Sequence, residues 1–287
     1  MTAREIVMSV RVFHKTYGIG LSLISCLLIG MHTIIAHCET KEFTLTTGRL
    51  FIPKTGTIRP QAPDLILHLH GAPGTVEKNI RQPHPDAIHV NITLPGLSSV
   101  YKKHFQDPSV FPSLLQETKV ILSKEGYGTT PTFRRIILMS FSAGFGGVRE
   151  LLKQAENVEQ IDAIIMADSI YAGFVGEIED RKVNSSHMEP FLSFAKQAVT
   201  GKKQMIISHT QLFTPEYAST KETAAWLIDG LSGKRIQERK EHPGGMVEWS
   251  HFQKGRFHVL EFEGETGEDH MKHLRHIDLF LQMVHTE

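Results

Sequence analysis

The sequence predicts an α/β fold, in which a mostly parallel central sheet is covered by helices on both faces. Short apolar runs of strand type recur along the chain, and amphipathic helical stretches separate them. One such run, 136–141, leads directly into a helical pattern. Continuous apolar strands are typical of parallel sheets, because those strands are buried on both faces.

The first half of the chain alternates strands and helices after an initial hairpin. A glycine turn inside an alternating stretch indicates that hairpin at the edge of the sheet. The predicted elements are, in order, a hairpin over 43–53, a strand over 64–70 that ends in a glycine-bearing loop, a strand over 87–94, a helix over 113–124, and the strand 136–141 with its helix.

The second half repeats this rhythm, and Ser219 with Glu222 forms a capping box that opens a helix. The charged run 234–240 is predicted to be a solvated connection. The predicted elements are a strand over 161–167, a helix over 189–199, a strand over 204–208, a helix over 223–231, a hairpin over 244–263 and a last helix from about 269 to 284. Because no internal repeat is found, we expect one domain over 43–287.

Composition excludes some classes of function. The formal net charge is zero, and no basic cluster with interleaved aromatic residues occurs. Binding to a nucleic acid is therefore not expected, since such binding depends on neutralising phosphate charge. The 17 histidines keep metal chemistry open as an alternative.

The first 38 residues differ from the rest of the chain. Arg4, Arg11 and Lys15 precede the uncharged, Leu- and Ile-rich stretch 17–36. This pattern predicts a signal peptide over 1–38, with an uncleaved membrane anchor as the alternative. In either case we expect an exported domain, periplasmic or secreted, with membrane tethering through this segment if it is retained.

Ser142 is the candidate nucleophile. It ends the apolar run 136–141, and small residues, Ser140 and Gly144, stand two positions before and after it. A tight strand–turn–helix of this kind exposes one hydroxyl at the carboxyl edge of a sheet. The pattern matches the nucleophile elbow of serine hydrolases, with Ser140 in place of the usual first glycine.

A serine nucleophile needs a general base and an acid that orients it. Asp168 directly follows the first strand after the elbow and is the favoured acid, with Glu216 in a later loop as the alternative. His270 follows a glycine-bearing loop after the last strand and is the favoured base. His273, one helical turn further on, is the alternative base.

Two loops are expected to stabilise an oxyanion. The Ala143 amide lies at the amino end of the elbow helix, where it can donate to developing negative charge. A second amide is expected from Gly71 or Ala72, after the strand 64–70; Pro73 has no N–H to give. Residues 173–201 and 211–222 are predicted walls over the site.

The residues His70-Gly71, Ser140 to Gly144, Asp168 and His270 occur in the chain order of the α/β-hydrolase superfamily, and the chain from about residue 43 to its end resembles the superfamily's esterases and lipases. This resemblance implies a Ser–His–Asp triad that cleaves a carboxylic ester, from a small molecule or a lipid, through an acyl-enzyme and without a cofactor. The first elbow glycine is replaced, and the acid comes one strand earlier than in the commoner arrangement.

Two other functions remain open at this stage. His68 and His70 lie two apart on a predicted strand, so their side chains would share a face and hold a metal ion in a metal-dependent hydrolase or deacetylase. Alternatively, the domain is a non-catalytic hydrolase-like module that binds a partner, because a fold does not imply a function.

Overall fold

A computed structural model describes residues 40–54, 62–177 and 180–284. The predicted signal peptide or anchor over 1–38 lies outside these residues. Within them, every helix is too short or too polar to span a bilayer. The described residues belong to one compact unit.

Ten strands form one central sheet, and two short strands form a separate ribbon. The ten strands are β1 (Thr40–Leu45), β2 (Gly48–Pro53), β3 (Leu65–Leu69), β4 (Ile88–Ile92), β5 (Ile136–Phe141), β6 (Ala163–Ala167), β9 (Gln204–His209), β10 (Ile236–His242), β11 (Met246–Lys254) and β12 (Phe257–Phe262); the ribbon is β7 (Phe174–Val175) and β8 (Lys182–Val183).

The sheet order is β1-β2-β4-β3-β5-β6-β9-β12-β11-β10. The six strands from β4 to β12 in this order pair in parallel, whereas β2 and β11 run opposite to the others. The chain places β4 on one side of β3 and then β5 on the other. The strand order therefore reverses between β3 and β5, and a crevice opens at such a point beyond the carboxyl ends of the strands.

Nine helices in the described residues cover the two faces. They are α1 (Pro73–Arg81), α2 (Ser98–Phe105), α3 (Val110–Lys124), α4 (Phe145–Leu151), α5 (Ala155–Gln160), α6 (Ser185–Val199), α7 (Thr220–Gly230), α8 (Gly267–Arg275) and α9 (Ile277–Leu281). Buried side chains of α2, α3, α4, α6 and α7 form the core on one face, and those of α1, α8 and α9 the core on the other. The predicted α/β class, with a mostly parallel sheet covered on both faces, is confirmed.

Most predicted elements are confirmed, including the first hairpin, the buried strands and the capping box at Ser219. The prediction of a connection over the charged run 234–240 is wrong from residue 236 onward, because those residues belong to β10. This exposed edge strand pairs with β11 on one side only, so apolar residues are not required. The last predicted helix is two helices that meet at His276. Helix α6 begins at Ser185, where Asn184 caps it, rather than at 189.

Helices α1 and α2 were missed. Each helix begins in a stretch that contains Gly and Pro, and such a stretch is also typical of a turn. In neither helix does a side chain cap the amino-terminal end. Both lie beside the sheet's carboxyl edge, one after β3 and one after β4.

Candidate active site

Ser142 occupies a sharp turn between β5 and α4. Its backbone is left-handed, with φ of +46°, and it begins a short 3₁₀ turn, Ser142–Gly144. A residue other than glycine in this region costs about 1 to 3 kcal/mol, so the surrounding structure must hold it there. Among the described residues, only three other non-glycine residues have a positive φ: His70, Asp168 and Ser232. Ser142, His70 and Asp168 each directly follow a central strand.

The turn packs closely against its neighbour β3. A Cβ atom on Gly144 would lie 2.4 Å from the carbonyl oxygen of Leu69, so this position has no space for a side chain. The predicted need for a small residue at Gly144 therefore has a steric cause. The adjoining β3 carbonyl, rather than a backbone angle, is what excludes a larger residue.

Ser140 has a bonding role that sequence reasoning missed. Its buried hydroxyl lies 2.8 Å from the hydroxyl of Ser169, and Ser169 donates to the carbonyl oxygen of Ser142 at 2.8 Å. A glycine at position 140 could not make this link. The two hydroxyls thus connect the turn after β5 to the turn after β6. The adjacency of Ser169 to Asp168 in the sequence was the available signal.

Asp168 and His270 meet across 102 residues of chain. The imidazole Nδ1 lies 2.7 Å from the Asp168 carboxylate Oδ2. Thr210, at the end of β9, donates its hydroxyl to the same oxygen at 2.9 Å. Burial by itself would raise the pKa of Asp168, but the hydrogen bond from His270 holds it well below its usual range. The carboxylate is therefore ionised.

His270 lies in the first turn of α8, and that helix begins with a capping box of Thr266 and Asp269. Its imidazole stacks on the ring of Phe141, with centroids 4.5 Å apart. Phe141 directly precedes Ser142, so the stacking holds the imidazole beside the turn. Ser142 and His270 line the same cavity, of about 440 Å³.

The loop after β3 presents unused donors to this edge of the sheet. Within the described residues, the amides of Gly71 and Ala72 donate no hydrogen bond. The hydroxyl of Thr93 donates to the Gly71 carbonyl oxygen at 2.5 Å. Because a carbonyl and the following N–H point in opposite directions across a planar peptide, this bond fixes the direction of the Ala72 N–H. The Ala143 amide lies in the first turn after β5, where an N–H has no intrahelical partner.

The alternative acid and base lie elsewhere. Glu216 is exposed on the loop after β9 and makes no hydrogen bond to a described residue. His273 is buried between the rings of Phe262 and Phe280, and its Nδ1 lies 2.8 Å from the Ser208 hydroxyl. It is not among the residues that line the cavity.

The two histidines considered as metal ligands lie in different surroundings. His68 is fully buried in β3, whereas His70 leaves the strand with a left-handed backbone and contacts the hydroxyl of Tyr101 at 3.1 Å. In the ranges that the structure describes, no group of three or more His, Cys, Asp or Glu side chains could hold a metal ion. A third protein ligand for this pair is thus missing from those ranges.

The cavity is mainly apolar, with a few polar groups. Both predicted wall segments contribute, through Gly173 and His187 and through Leu212, Thr214 and Tyr217. Leu97, at its rim, is 73% exposed. Apolar walls with a few convergent polar groups are typical of sites for small organic ligands.

The strand order of the sheet and the turn at Ser142 together identify the fold. The chain has the α/β-hydrolase fold. An uncharacterised protein from Capnocytophaga ochracea is similar, with a TM-score of 0.49, 10% identity and alignment over 87% of this chain. The chain spans 65% of that protein's length.

Two named enzymes show a similar level of likeness. An acylaminoacyl peptidase from Pyrococcus horikoshii aligns over 87% of this chain and 43% of its own, with 12% identity and a TM-score of 0.46. A carboxylesterase from Bacillus subtilis aligns over 86% and 90%, with 10% identity and a TM-score of 0.42. No family model matches the chain, and no curated protein matches it.

Proposed function

We propose that the protein is a serine hydrolase that cleaves a carboxylic ester through a Ser142–His270–Asp168 triad. One observation carries this proposal. The His270 imidazole is held at 2.7 Å by the buried Asp168 carboxylate, and it lines the same cavity as a serine on a left-handed turn. Nucleophile, base and orienting acid are the three groups that acyl transfer of this type requires.

The hydrogen bond to Asp168 assigns the tautomer of His270. With Nδ1–H donating to the carboxylate, Nε2 carries the lone pair and can accept the proton of the Ser142 hydroxyl. The serine oxygen then attacks the ester carbonyl. The resulting imidazolium is stabilised by Asp168 and returns the proton to the departing alcohol, which leaves an acyl-enzyme.

The amides of Ala143 and of Gly71 or Ala72 would stabilise the negative oxygen of each tetrahedral intermediate. The hydrogen bond from Thr93 to the Gly71 carbonyl holds the peptide between Gly71 and Ala72, and the amides of both residues are unused. In the second half of the reaction His270 takes a proton from water, which attacks the acyl group and releases the acid. Ser142 recovers its proton from His270, and the proposed reaction uses water but no cofactor.

The nucleophile is tested by Ser142→Ala. We expect loss of ester hydrolysis and of covalent labelling by a fluorophosphonate, because the attacking oxygen is removed. Circular dichroism should be unchanged, since the methyl group fits a space that held a methylene and a hydroxyl. Ser98→Ala is the matched control, because Ser98 lines the same cavity but bonds to neither Asp168 nor His270. Labelling of the folded Ser142→Ala protein would contradict the proposal.

The same measurements separate the two alternatives. A metal-dependent hydrolase using His68 and His70 would lose activity on chelation and would not be labelled. A non-catalytic binding domain would be folded, yet neither labelled nor active on any of a graded series of p-nitrophenyl esters. The proposed triad instead requires labelling at Ser142 and activity in the presence of chelator.

We also propose that the domain is exported after removal of residues 1–38. The basic start followed by an uncharged apolar stretch supports this. Amino-terminal sequencing of the protein recovered from the cell envelope or the medium tests it. A mature chain beginning near residue 39 is expected, while an intact amino terminus in the membrane fraction would instead favour the anchor.

A further inference from the structure

The cavity beside Ser142 carries positive charge without a balancing carboxylate. Of the described residues that line it, none is Asp or Glu, and Arg149 carries its fixed charge. His187 and His270 are its other basic residues, and His270 is engaged by Asp168. A cavity lined in this way attracts an anion.

Arg149 is buried without a hydrogen-bond partner. Its side chain is on α4 and the residue is only 8% exposed, yet its guanidinium donates no hydrogen bond to any described residue, and Nη1 is buried and unpaired. The neighbouring Glu150 is engaged by Lys153 at 2.8 Å. Burial lowers the pKa of Arg149, with the charge of Glu150 acting in the opposite direction, but a guanidinium remains charged at neutral pH.

This arrangement is costly unless a ligand completes it. Buried charges in proteins are normally paired, because removing an ion from water carries a large penalty. In the described structure, the guanidinium lies 5.4 Å from the centre of the Phe145 ring and does not contact a carboxylate. A bound anion would supply the missing acceptors.

The position on α4 places this charge near the nucleophile. Helical side chains lean towards the amino end of their helix, and Arg149 accordingly lies over Phe145, one turn back. Phe145 is three residues after Ser142, and Ser142, Phe145 and Arg149 all line the cavity. The guanidinium and the serine thus face the same cavity.

His187 supplies a second donor. The Gly173 N–H donates to its Nδ1 at 3.0 Å, so in the neutral ring the proton is on Nε2. Burial, together with the nearby charge of Arg149, lowers the pKa of His187 and keeps the ring neutral. A neutral N–H donor beside a guanidinium suits one singly charged carboxylate.

We propose that Arg149, assisted by His187, binds a carboxylate of the substrate, so that the ester cleaved at Ser142 carries a negative charge a few bonds from its scissile carbonyl. This rests on the proposed function of Ser142 and names the substrate class for that site. A carboxylate is favoured over a phosphate monoester, because one guanidinium balances a single negative charge, whereas a phosphate monoester carries nearly two.

Paired substrates test this selectivity. Monoethyl succinate, glutarate and adipate carry the charge on the acyl side, and 3-acetoxypropanoate carries it on the alcohol side; the primary amide of each is its neutral counterpart. We expect kcat/KM to favour at least one acid over its amide by 10-fold or more. In Arg149→Gln that ratio should fall by about 10- to 100-fold, the size of a hydrogen bond to a charged group.

Two further variants make the result specific. Arg149→Lys keeps the charge without the planar fork and should retain part of the preference. Lys196→Gln removes an exposed positive charge of α6 that lies outside the cavity, and it should keep the wild-type ratio. Equal kcat/KM for every acid and its amide, or an unchanged ratio in Arg149→Gln, would overturn the proposal.

A binding measurement separates this inference from the proposed catalysis. Glutarate should bind the Ser142→Ala protein in calorimetry, and adding Arg149→Gln should weaken that binding at least 10-fold. Arg149-dependent binding without hydrolysis of any ester would support the anion site and reject the triad. Ester hydrolysis with neither glutarate binding nor an acid preference would support the triad and reject the anion site.

Discussion

At the residue scale, Asp168 is held by more groups than a triad drawn from the sequence contains. Thr210 donates to its carboxylate through the hydroxyl at 2.9 Å. His209 in turn fixes Thr210, because its Nδ1 donates to the Thr210 carbonyl at 2.7 Å while its Nε2 accepts from Arg235 at 2.9 Å. Burial and the charge of Arg235 lower the pKa of His209, which keeps this ring neutral and both bonds in place.

The strand β9 therefore supports the acid without providing it. No carboxylate directly follows this strand, which ends at His209 and Thr210. In the structure, the hydroxyl of Thr210 reaches the acid that follows the neighbouring strand β6. An acid that follows β6, one strand earlier than in the commoner arrangement, can thus pair with a histidine on α8.

Thr210→Val should lower kcat for ester hydrolysis about 10-fold, with little change in KM. The variant removes a hydrogen bond to an ionised group while keeping the branched shape, and such bonds contribute roughly 1.5 to 3 kcal/mol. Steady-state kinetics on one ester measures kcat and KM separately. Thr210→Ser, which restores the hydroxyl, should recover most of the rate, and a Val variant as fast as wild type would remove Thr210 from the site.

At the element scale, the strand–turn–helix at Ser142 depends on how closely α4 and β3 approach. The turn is built from residues that are small for different reasons. Gly144 is small because the Leu69 carbonyl occupies the space of a side chain, and Ser140 because its hydroxyl must reach Ser169 within a buried layer. The pattern of small residues was visible in the sequence, but the difference between the two causes was not.

Gly144→Ala should destabilise the fold by about 1 to 3 kcal/mol and strongly reduce ester hydrolysis. Its methyl group would lie 2.4 Å from a backbone oxygen, so the turn that carries Ser142 must shift. Urea unfolding and kcat/KM measure the two effects.

Gly74→Ala is the matched control for this change. A Cβ at Gly74, in α1, would contact nothing within 4 Å, and alanine favours a helix over glycine. Its free energy of unfolding should be unchanged or higher. Equal stability of the two variants would show that the close contact at Gly144 is relieved at no cost.

At the scale of the whole molecule, neutral histidines are part of the core. His68, His89, His209 and His273 are fully or almost fully buried, and burial lowers the pKa of each. For His273 the pKa falls from its usual 6.5 to about 4. The unfolded chain therefore binds protons between pH 6.5 and 4 that the folded protein does not.

Stability should consequently fall as the pH is lowered through this window. The contribution of His273 is fully present above pH 6.5 and decreases below it, by about 2 kcal/mol at pH 5, at 1.36 kcal/mol for each pKa unit. The other buried histidines act in the same direction. Urea unfolding at pH 7.5 and pH 5 measures the difference, and His273→Gln should reduce it. A protein equally stable at both values would contradict this account.

Much of the fold followed from local patterns, because apolar runs, glycine turns and a capping box act within a few residues. The buried strands and the second hairpin were predicted for this reason. The edge strand β10 was not predicted, because its charged residues are exposed to solvent and do not pack in a core. Helices α1 and α2 were hidden by turn residues at their starts.

The sequence by itself determined that Ser142 would stand at the end of a buried strand, since a strand, a tight turn and a helix are local events. Only the tertiary structure decided which acid meets which histidine, because Asp168 and His270 are 102 residues apart and their 2.7 Å contact depends on the order of the strands. The unpaired charge of Arg149 was likewise invisible in the sequence. Whether an arginine has a partner depends on what packs around it, and neighbours in the chain do not specify that.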